Sequence, residues 1–389
     1  MFFCYIFCAC DQIKKKLYRM KYIPVASPVI KEEEARAVYD VVKSGWISMG
    51  KKVQEFENMV CEYTGSRYSI AMNNGTSTLH AILMALDIGP GDEVIIPTLT
   101  YISSANVVLY QGATPVFVDN DPLTYNVTVE SIRKKISPNT KAIMTVDMKG
   151  LPVDFDAFKE LSSETGIPFI SDSAESYGSI YKGSLVGSQA NAHSFSFFAN
   201  KNITTGEGGI VTTNDYELFK KLKIIRNQGQ EGRYNHTLLG NNYRMTDILA
   251  ALGVEQLKRI DTILEKKVSI ANFYSKEIGK INGIRTPYVP SYVGRPSWYN
   301  YSISLSPARR DCLLKYFEKN KIETRLSFPP IHIQPFYSKK FGLKANEFKE
   351  AMKCFQTFVD IPIWAEMKQK EWSSVVNHLK KFMSQEIVL

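Results

Sequence analysis

The sequence predicts an α/β fold, in which a mostly parallel central sheet is sandwiched by helices and followed by a smaller α+β C-terminal domain. Three observations support this prediction. Short apolar runs alternate with helix-like periodicity between residues 69 and 213, turn signals separate these segments, and a long helical pattern follows at 245–282. Strand–helix alternation of this kind is typical of parallel sheets covered by helices.

Seven apolar runs are predicted to be buried strands, because they have the length of strands and lack the alternation of a half-exposed strand. In chain order they are SIAM, EVIIPT, TPVFVD, KAIMTVD, IPFISD, HSFSFF and GGIVTT. Helices are predicted between them at 76–88, 101–111, 129–136 and 154–164. Ligands of such sheets bind outside the carboxyl ends of the strands, so the polar residues that follow each run are site candidates.

The remainder of the chain predicts the smaller domain. A helix over 245–282 is expected to link the domains, with strands at 301–305 and 323–328 and a helix at about 367–382. The predicted division is a large domain at 20–260, whose residues 20–45 pack on the small domain, and a small domain at 261–389. Residues 1–19 are predicted to be a disordered extension or a mis-assigned start, because their apolar segment precedes the basic KKK, the reverse of a signal peptide.

Composition favours a cytoplasmic enzyme over a membrane or nucleic-acid-binding protein. No apolar run reaches the roughly 18 residues that cross a bilayer. The net charge of +9 is spread along the chain without long blocks of one sign, which suits an anionic substrate at least as well as a nucleic acid. The six cysteines have no spacing typical of a metal site or a disulfide framework, so no metal is expected.

Lys201 is the leading catalytic candidate. It lies in a polar turn between two predicted buried strands, where a charged amine is costly, and such a lysine can form a Schiff base with an aldehyde. Asp172 ends the buried run IPFISD and precedes Lys201 by 29 residues. Pyridoxal phosphate (PLP) needs an anionic partner at its ring nitrogen, and a strand-end aspartate can serve. A surface lysine in a glycine-rich loop and a turn or capping aspartate are the alternatives.

A phosphate site and an aromatic contact complete the pattern. Gly75 and Thr76 follow the strand SIAM and open a helix, where backbone N–H groups bind phosphate, although such residues also cap helices routinely. Ser196 is five residues before Lys201 and adds a hydroxyl. Tyr101 follows the next strand, where it is either a ring that stacks on the cofactor or a core tyrosine.

The sequence resembles the DegT-type nucleotide-sugar aminotransferases. The stretches that carry the resemblance run in family order from Met20 to the C-terminus. They include NNGTSTLH at 73–80, GPGDEVIIPTLTYISSAN at 89–106, FSFFANKNITTGEGG at 195–209, NYRMTDI at 242–248 and IETR at 322–325.

The resemblance implies a fold-type-I PLP aminotransferase that works as a homodimer with shared active sites. Lys201 would form the Schiff base and act as general base, Asp172 would pair with the ring nitrogen, and Glu175 would lie near the phenolic oxygen. The remaining contacts would come from Tyr101 stacking on the ring, from Gly75, Thr76 and Ser196 at the phosphate, and from Asn242 at the phosphate of the neighbouring subunit's cofactor. Arg325, in IETR, is a candidate for the substrate's pyrophosphate.

The implied reaction converts a nucleotide-linked 4-keto-6-deoxyhexose to the 4-amino-4,6-dideoxyhexose, with L-glutamate as amino donor. Related dehydratases have histidine in place of Lys201, so lysine favours transamination. The family's VHLYGHP reads VDMKGLP here, so Asp147 and Lys149 occupy an edge expected to touch the sugar. A 3-ketosugar aminotransferase and a non-catalytic PLP-binding regulator are the alternatives.

Overall fold

The computed structural model describes residues 22–385. The predicted extension at 1–19 lies outside these residues. The strands are β1 Tyr68–Met72, β2 Glu93–Pro97, β3 Thr114–Val118, β4 Thr140–Val146, β5 Phe169–Asp172, β6 Ile180–Tyr181, β7 Ser184–Leu185, β8 Ala192–Ser196, β9 Gly209–Thr213, β10 Val293–Arg295, β11 Tyr301–Ser304 and β12 Phe358–Ile361. The helices are α1 Glu32–Ser44, α2 Lys51–Thr64, α3 Gly75–Ala85, α4 Ser103–Tyr110, α5 Val129–Arg133, α6 Phe155–Thr165, α7 Tyr216–Arg226, α8 Asp247–Lys258, α9 Ile260–Ile278, α10 Pro307–Lys319, α11 Pro335–Phe341, α12 Lys349–Thr357 and α13 Gln369–Met383.

A seven-stranded sheet forms the centre of the fold, in the order β1-β9-β8-β5-β4-β2-β3. All seven predicted strands are present in it. The ladders from β3 to β8 are parallel, whereas β9 runs antiparallel to both of its neighbours. The predicted mostly parallel sheet is therefore confirmed, with β9 as the reversed strand.

Both faces of the sheet are buried, which explains why its strands are continuously apolar. Successive residues of β1 point to opposite sides, with Ile70 and Met72 in one core and Ala71 in the other. The first core is covered by α3, α4 and α7, and the second by α2, α6 and α8. The fold is thus a sheet between two helical layers.

A third core belongs to the C-terminal part of the chain. Here β11 and β12 form an antiparallel pair that packs with α9, α10 and α13. None of the helices within residues 22–385 is long and apolar enough to cross a bilayer. The predicted strand at 301–305 and helix at 367–382 are both found.

Two predicted elements are wrong. The helix expected over 245–282 is divided into α8 and α9 at Arg259, whose backbone leaves the helical region and whose guanidinium bonds to Glu34 and the Val29 carbonyl. The strand expected over 323–328 does not form. The backbone here pairs with two different segments, because Ile322, just before this stretch, pairs with Ile23 and Arg325 pairs with Asp360, so no continuous ladder develops.

Residues 22–45 contact both parts of the chain. Ile23 pairs with Ile322 and joins the C-terminal core. In contrast, α1 packs against α8, a helix assigned to the large domain. The described part of this segment therefore contacts both parts of the chain, and the predicted domain division stays a prediction.

Candidate active site

The carboxyl ends of neighbouring strands bring the leading candidates together. Asp172 ends β5 and is paired with Ser194 of β8, and the turn that follows β8 holds Lys201. A small pocket forms in this turn, as the ligand rule for parallel sheets predicts. It is lined by Ala174, Glu175, Tyr177, Ser196, Phe197, Lys201, Asn202, Ile203 and Tyr299.

The amine of Lys201 is buried among acidic and aromatic groups. Its side chain is 13% exposed, and its Nζ lies 3.7 Å from Oε1 of Glu175. The same atom lies 4.1 Å from the centre of the Tyr299 ring. Burial lowers the pKa of this amine, but Tyr299 and the carboxylates of Glu175 and Asp172 outweigh that effect and raise it.

Asp172 is a buried carboxylate with few partners. Its Oδ2 accepts a 2.9 Å hydrogen bond from the Ser104 hydroxyl, and its Oδ1 accepts one of 3.3 Å from the Ala174 amide. Burial raises the pKa of Asp172 to about 6, against the opposing effect of these bonds and of Lys201. A cationic ring nitrogen placed against this carboxyl would favour its ionised form, so the site is suited to a pyridinium.

Tyr299 is a site residue that the sequence did not reveal. Its hydroxyl donates to Oδ1 of Asn200 at 3.1 Å and accepts from Arg325 at 3.4 Å, while its ring faces Lys201. Tyr299 lies in a loop 98 residues after Lys201, with no periodicity or motif around it. Ser104, the donor to Asp172, carried no signal of its own either.

The predicted phosphate residues meet at the N-terminus of α3. Gly75 is the first residue of this helix, and Oδ1 of Asn74 caps it by accepting from the Ser77 amide at 2.8 Å. The first amides of a helix have no intrahelical acceptor, which leaves those of Gly75 and Thr76 for a ligand. A Cβ at Gly75 would lie 3.0 Å from the Cβ of Ser196, so these two residues border one narrow cradle that a side chain would fill.

Three other predicted residues lie outside the pocket. Tyr101 is 56% exposed, and its ring lies 5.2 Å from that of Phe328, so stacking on a cofactor stays a prediction. Asn242 is exposed and pairs through its backbone with Asn227; its role toward a second subunit also stays a prediction. Arg325 reaches the pocket indirectly, through its bond to Tyr299.

The side chains of Asp147 and Lys149 turn away from the pocket, contrary to the expectation that they form a sugar-binding edge. Both Asp147 oxygens are buried; one accepts from the Val153 amide, and the other from the hydroxyls of Ser171, Ser173 and Ser176. The amine of Lys149 is paired with Asp360. Asp147 and Lys149 thus have their hydrogen-bonding partners inside the protein, where a substrate would not reach their side chains.

The residues present fit PLP. Lys201 offers an amine for the aldehyde, Asp172 a carboxylate for the ring nitrogen, and the Gly75 cradle amides and a hydroxyl for the phosphate. Each group matches one functional group of the cofactor in charge or hydrogen-bonding character. The fold and the site are therefore of the kind that PLP-dependent aminotransferases use.

Solved structures of aminotransferases share this fold over nearly the whole chain. A Helicobacter pylori aminotransferase involved in the biosynthesis of pseudoaminic acid, PseC, has a TM-score of 0.88 at 27% identity, covering 93% of this chain and 99% of its own. A Streptococcus pneumoniae protein described as a sugar aminotransferase, solved in PLP and PMP forms, also has a TM-score of 0.88, at 29% identity, with 93% and 98% covered.

The chain belongs to the DegT/DnrJ/EryC1/StrS aminotransferase family, whose sequence pattern matches residues 28–380. Its cofactor is accordingly PLP. Among its relatives, the GDP-perosamine synthase of Caulobacter vibrioides is 39% identical, with 93% of this chain and 98% of the relative covered. The GDP-perosamine synthase of Escherichia coli O157:H7 is 41% identical, with 83% and 89% covered.

Proposed function

We propose that this protein transfers the amino group of L-glutamate to C4 of a nucleotide-linked 4-keto-6-deoxyhexose, giving the 4-amino-4,6-dideoxyhexose. The observation that carries the transamination is the buried amine of Lys201, 3.7 Å from Glu175 and at the same sheet edge as Asp172. The choice of substrate is supported by the two GDP-perosamine synthases, which are relatives at 39% and 41% identity.

Each residue of the site has a separate role in the proposed reaction. The cofactor supplies an electron sink for the carbon that loses its proton. Lys201 Nζ moves that proton, and Glu175 stabilises the ammonium while Lys201 holds it. Asp172 keeps the ring nitrogen protonated, and the amides of Gly75 and Thr76 with Ser196 hold the phosphate.

The substrate and assembly contacts follow from the same proposal. Arg325 binds the pyrophosphate of the nucleotide sugar, Tyr101 stacks on the cofactor ring, and Asn242 reaches the phosphate in the second subunit of a homodimer. The large domain at 20–260 and the small domain at 261–389 form one cytoplasmic subunit. Arg325→Met is expected to raise the KM for the nucleotide sugar about tenfold or more, because a charge-assisted contact is lost.

The deciding measurement is the absorbance spectrum of the purified protein with PLP, before and after L-glutamate. A visible band that glutamate removes, and that Lys201→Ala lacks while the surface variant Lys220→Ala keeps it, is expected for a Schiff-base enzyme. GDP-, dTDP- and UDP-linked 4-keto and 3-keto sugars are then offered to the aminated form. Conversion of 3-keto sugars alone would replace the proposed substrate, and a band indifferent to every amino donor would indicate a non-catalytic regulator.

A further inference from the structure

A buried ion pair joins the two halves of the fold close to Lys201. The Nζ of Lys149 lies 2.8 and 2.9 Å from the two carboxylate oxygens of Asp360 on β12, and the side chains are 8% and 1% exposed. Asp360 also accepts hydrogen bonds from the Asn300 amide and the Ser302 hydroxyl. With these donors the carboxylate is fully satisfied, so the pair can be held in one geometry without water.

The Lys149 end of this pair contacts Glu175 through its backbone. The backbone N–H of Lys149 donates a 2.7 Å hydrogen bond to Oε2 of Glu175, whose Oε1 faces Lys201. Lys149 has a left-handed backbone, with φ of 61°, which is unfavourable for a residue with a side chain. The side-chain bond to Asp360 offsets that cost and fixes the turn that presents the amide.

The Asp360 end of the pair is connected to Tyr299, the other side chain that faces Lys201. The backbones of Asp360 and Arg325 exchange two hydrogen bonds, of 3.1 and 2.8 Å. The guanidinium of Arg325 then donates to the hydroxyl of Tyr299, whose ring lies 4.1 Å from the Lys201 amine. Asp360 is therefore connected to both side chains that face the Lys201 amine, to Glu175 through Lys149 and to Tyr299 through Arg325.

We propose that Lys149 and Asp360 are positioning residues, whose ion pair holds Glu175 and Tyr299 against the amine of Lys201. The proposal rests on Lys201 being the cofactor lysine and holds whichever sugar is the substrate.

The test uses Lys149→Met, Asp360→Asn and the double variant. Each single change leaves a buried charge without its partner and is expected to lower the stability of the cofactor-free protein, whereas the double change removes both charges and restores most of it. Lys182→Met is the matched control. Lys182 also has a left-handed backbone and an ion pair, with Asp156, but both side chains are about half exposed and neither contacts the Lys201 site.

Two readouts separate positioning from structural support. The first is the pH midpoint of the visible band of bound PLP, and the second is the rate at which L-glutamate removes this band. In the double variant the midpoint is expected to fall by about half a unit or more, because a displaced Glu175 no longer favours the protonated form. The glutamate reaction is expected to slow about tenfold, since small misplacements are costly to catalysis.

The outcomes are distinct. A double variant that is stable, with a lowered midpoint and a slower reaction, supports the proposal, provided that Lys182→Met behaves as the wild type. A stable double variant with unchanged midpoint and rate overturns it, because the pair would then be purely structural. A wild-type protein without a glutamate-sensitive band overturns the proposed transamination, and this proposal with it.

Discussion

The amine of Lys201 and the carboxylate of Glu175 lie 3.7 Å apart in a pocket that excludes most water. With Asp172 and Tyr299 also close, the pKa of the amine is raised despite its burial. The amine of the cofactor-free enzyme is therefore protonated at neutral pH and must lose its proton before it can attack an aldehyde. Glu175 therefore favours the ammonium form, which the amine must leave before it can react.

PLP incorporation should consequently become faster as pH rises, following the deprotonation of Lys201. Glu175→Gln removes a negative charge beside the amine, so the pKa of Lys201 falls and the rate–pH curve moves to lower pH. The curve is measured by the growth of the visible band after PLP is added to apoprotein. Glu57→Gln, at a carboxylate that pairs with Arg226 away from the pocket, should leave the curve unchanged. A curve that does not move in Glu175→Gln would contradict the assigned role.

Asp172 is expected to destabilise the cofactor-free protein, although its carboxylate is proposed to pair with the ring nitrogen of bound PLP. Burial raises its pKa from 3.8 to about 6, so folding favours the protonated form and stability is lost as pH rises through this interval. Asp172→Asn should therefore stabilise the apoprotein above pH 6, by up to about 3 kcal/mol, with the gain disappearing below pH 4. Urea unfolding at several pH values measures this difference.

The same variant should weaken the reaction with glutamate, because an amide cannot keep the ring nitrogen protonated. Asp147→Asn is the control, since Asp147 is equally buried and its pKa is also raised to about 6 by burial, yet it contacts serine hydroxyls and not the pocket. It should change the pH dependence of stability but not the visible band. An Asp172→Asn enzyme with wild-type activity would exclude the proposed partner of the ring nitrogen.

Local patterns predicted the part of the site that depends on strand ends. Asp172 and Lys201 each follow an apolar run, and parallel strands must bring such positions to one edge of the sheet. Gly75 was proposed for the same reason, since it follows β1, whereas Ser196 was proposed from its place five residues before Lys201. The fold class followed equally directly, because both faces of the sheet are buried and its strands read as continuous apolar runs.

Contacts between distant loops could not be predicted in this way. Tyr299 approaches Lys201 only because the C-terminal part of the chain packs back on the sheet, and its loop has no periodicity. The interruption at Arg259 was missed because the apolar spacing continues across it, while its cause is a bond to Glu34, 225 residues away. Lys149 was expected to face the sugar, but the position of its partner Asp360 is fixed by tertiary structure alone.

Gly75 is expected to be required for cofactor affinity more than for folding. A methyl group there would lie 3.0 Å from Cβ and 3.4 Å from Oγ of Ser196, in the cradle assigned to the phosphate. Gly75→Ala should raise the dissociation constant for PLP about tenfold or more, equivalent to about 1.4 kcal/mol, with little change in the Tm of the apoprotein. Gly89→Ala is the matched control, because a methyl group at Gly89 would have no other atom within 4 Å. Equal affinities in the two variants would place the phosphate elsewhere.

Lys267 should make the stability of the apoprotein depend on pH above neutrality. Its amine is buried beside the lysine turn, where it donates to Oδ1 of Asn202 at 2.6 Å and to the Tyr299 carbonyl at 3.3 Å. Burial, with a smaller effect of Arg325, lowers its pKa from 10.5 to about 7. Between these values the unfolded chain binds a proton that the folded protein does not, so stability rises with pH.

The contribution of this lysine is isolated by comparing the wild type with Lys267→Met in urea at pH 6, 8 and 10. Relative to the variant, the wild type should gain up to about 5 kcal/mol across the interval, since each pKa unit corresponds to about 1.36 kcal/mol. Lys266→Met removes a neighbouring amine that is 45% exposed and paired with Glu366, so its difference from the wild type should stay nearly constant. If the difference in unfolding free energy between the wild type and Lys267→Met is also constant, the Lys267 amine is charged throughout this range. The lowered pKa inferred from its burial would then be wrong.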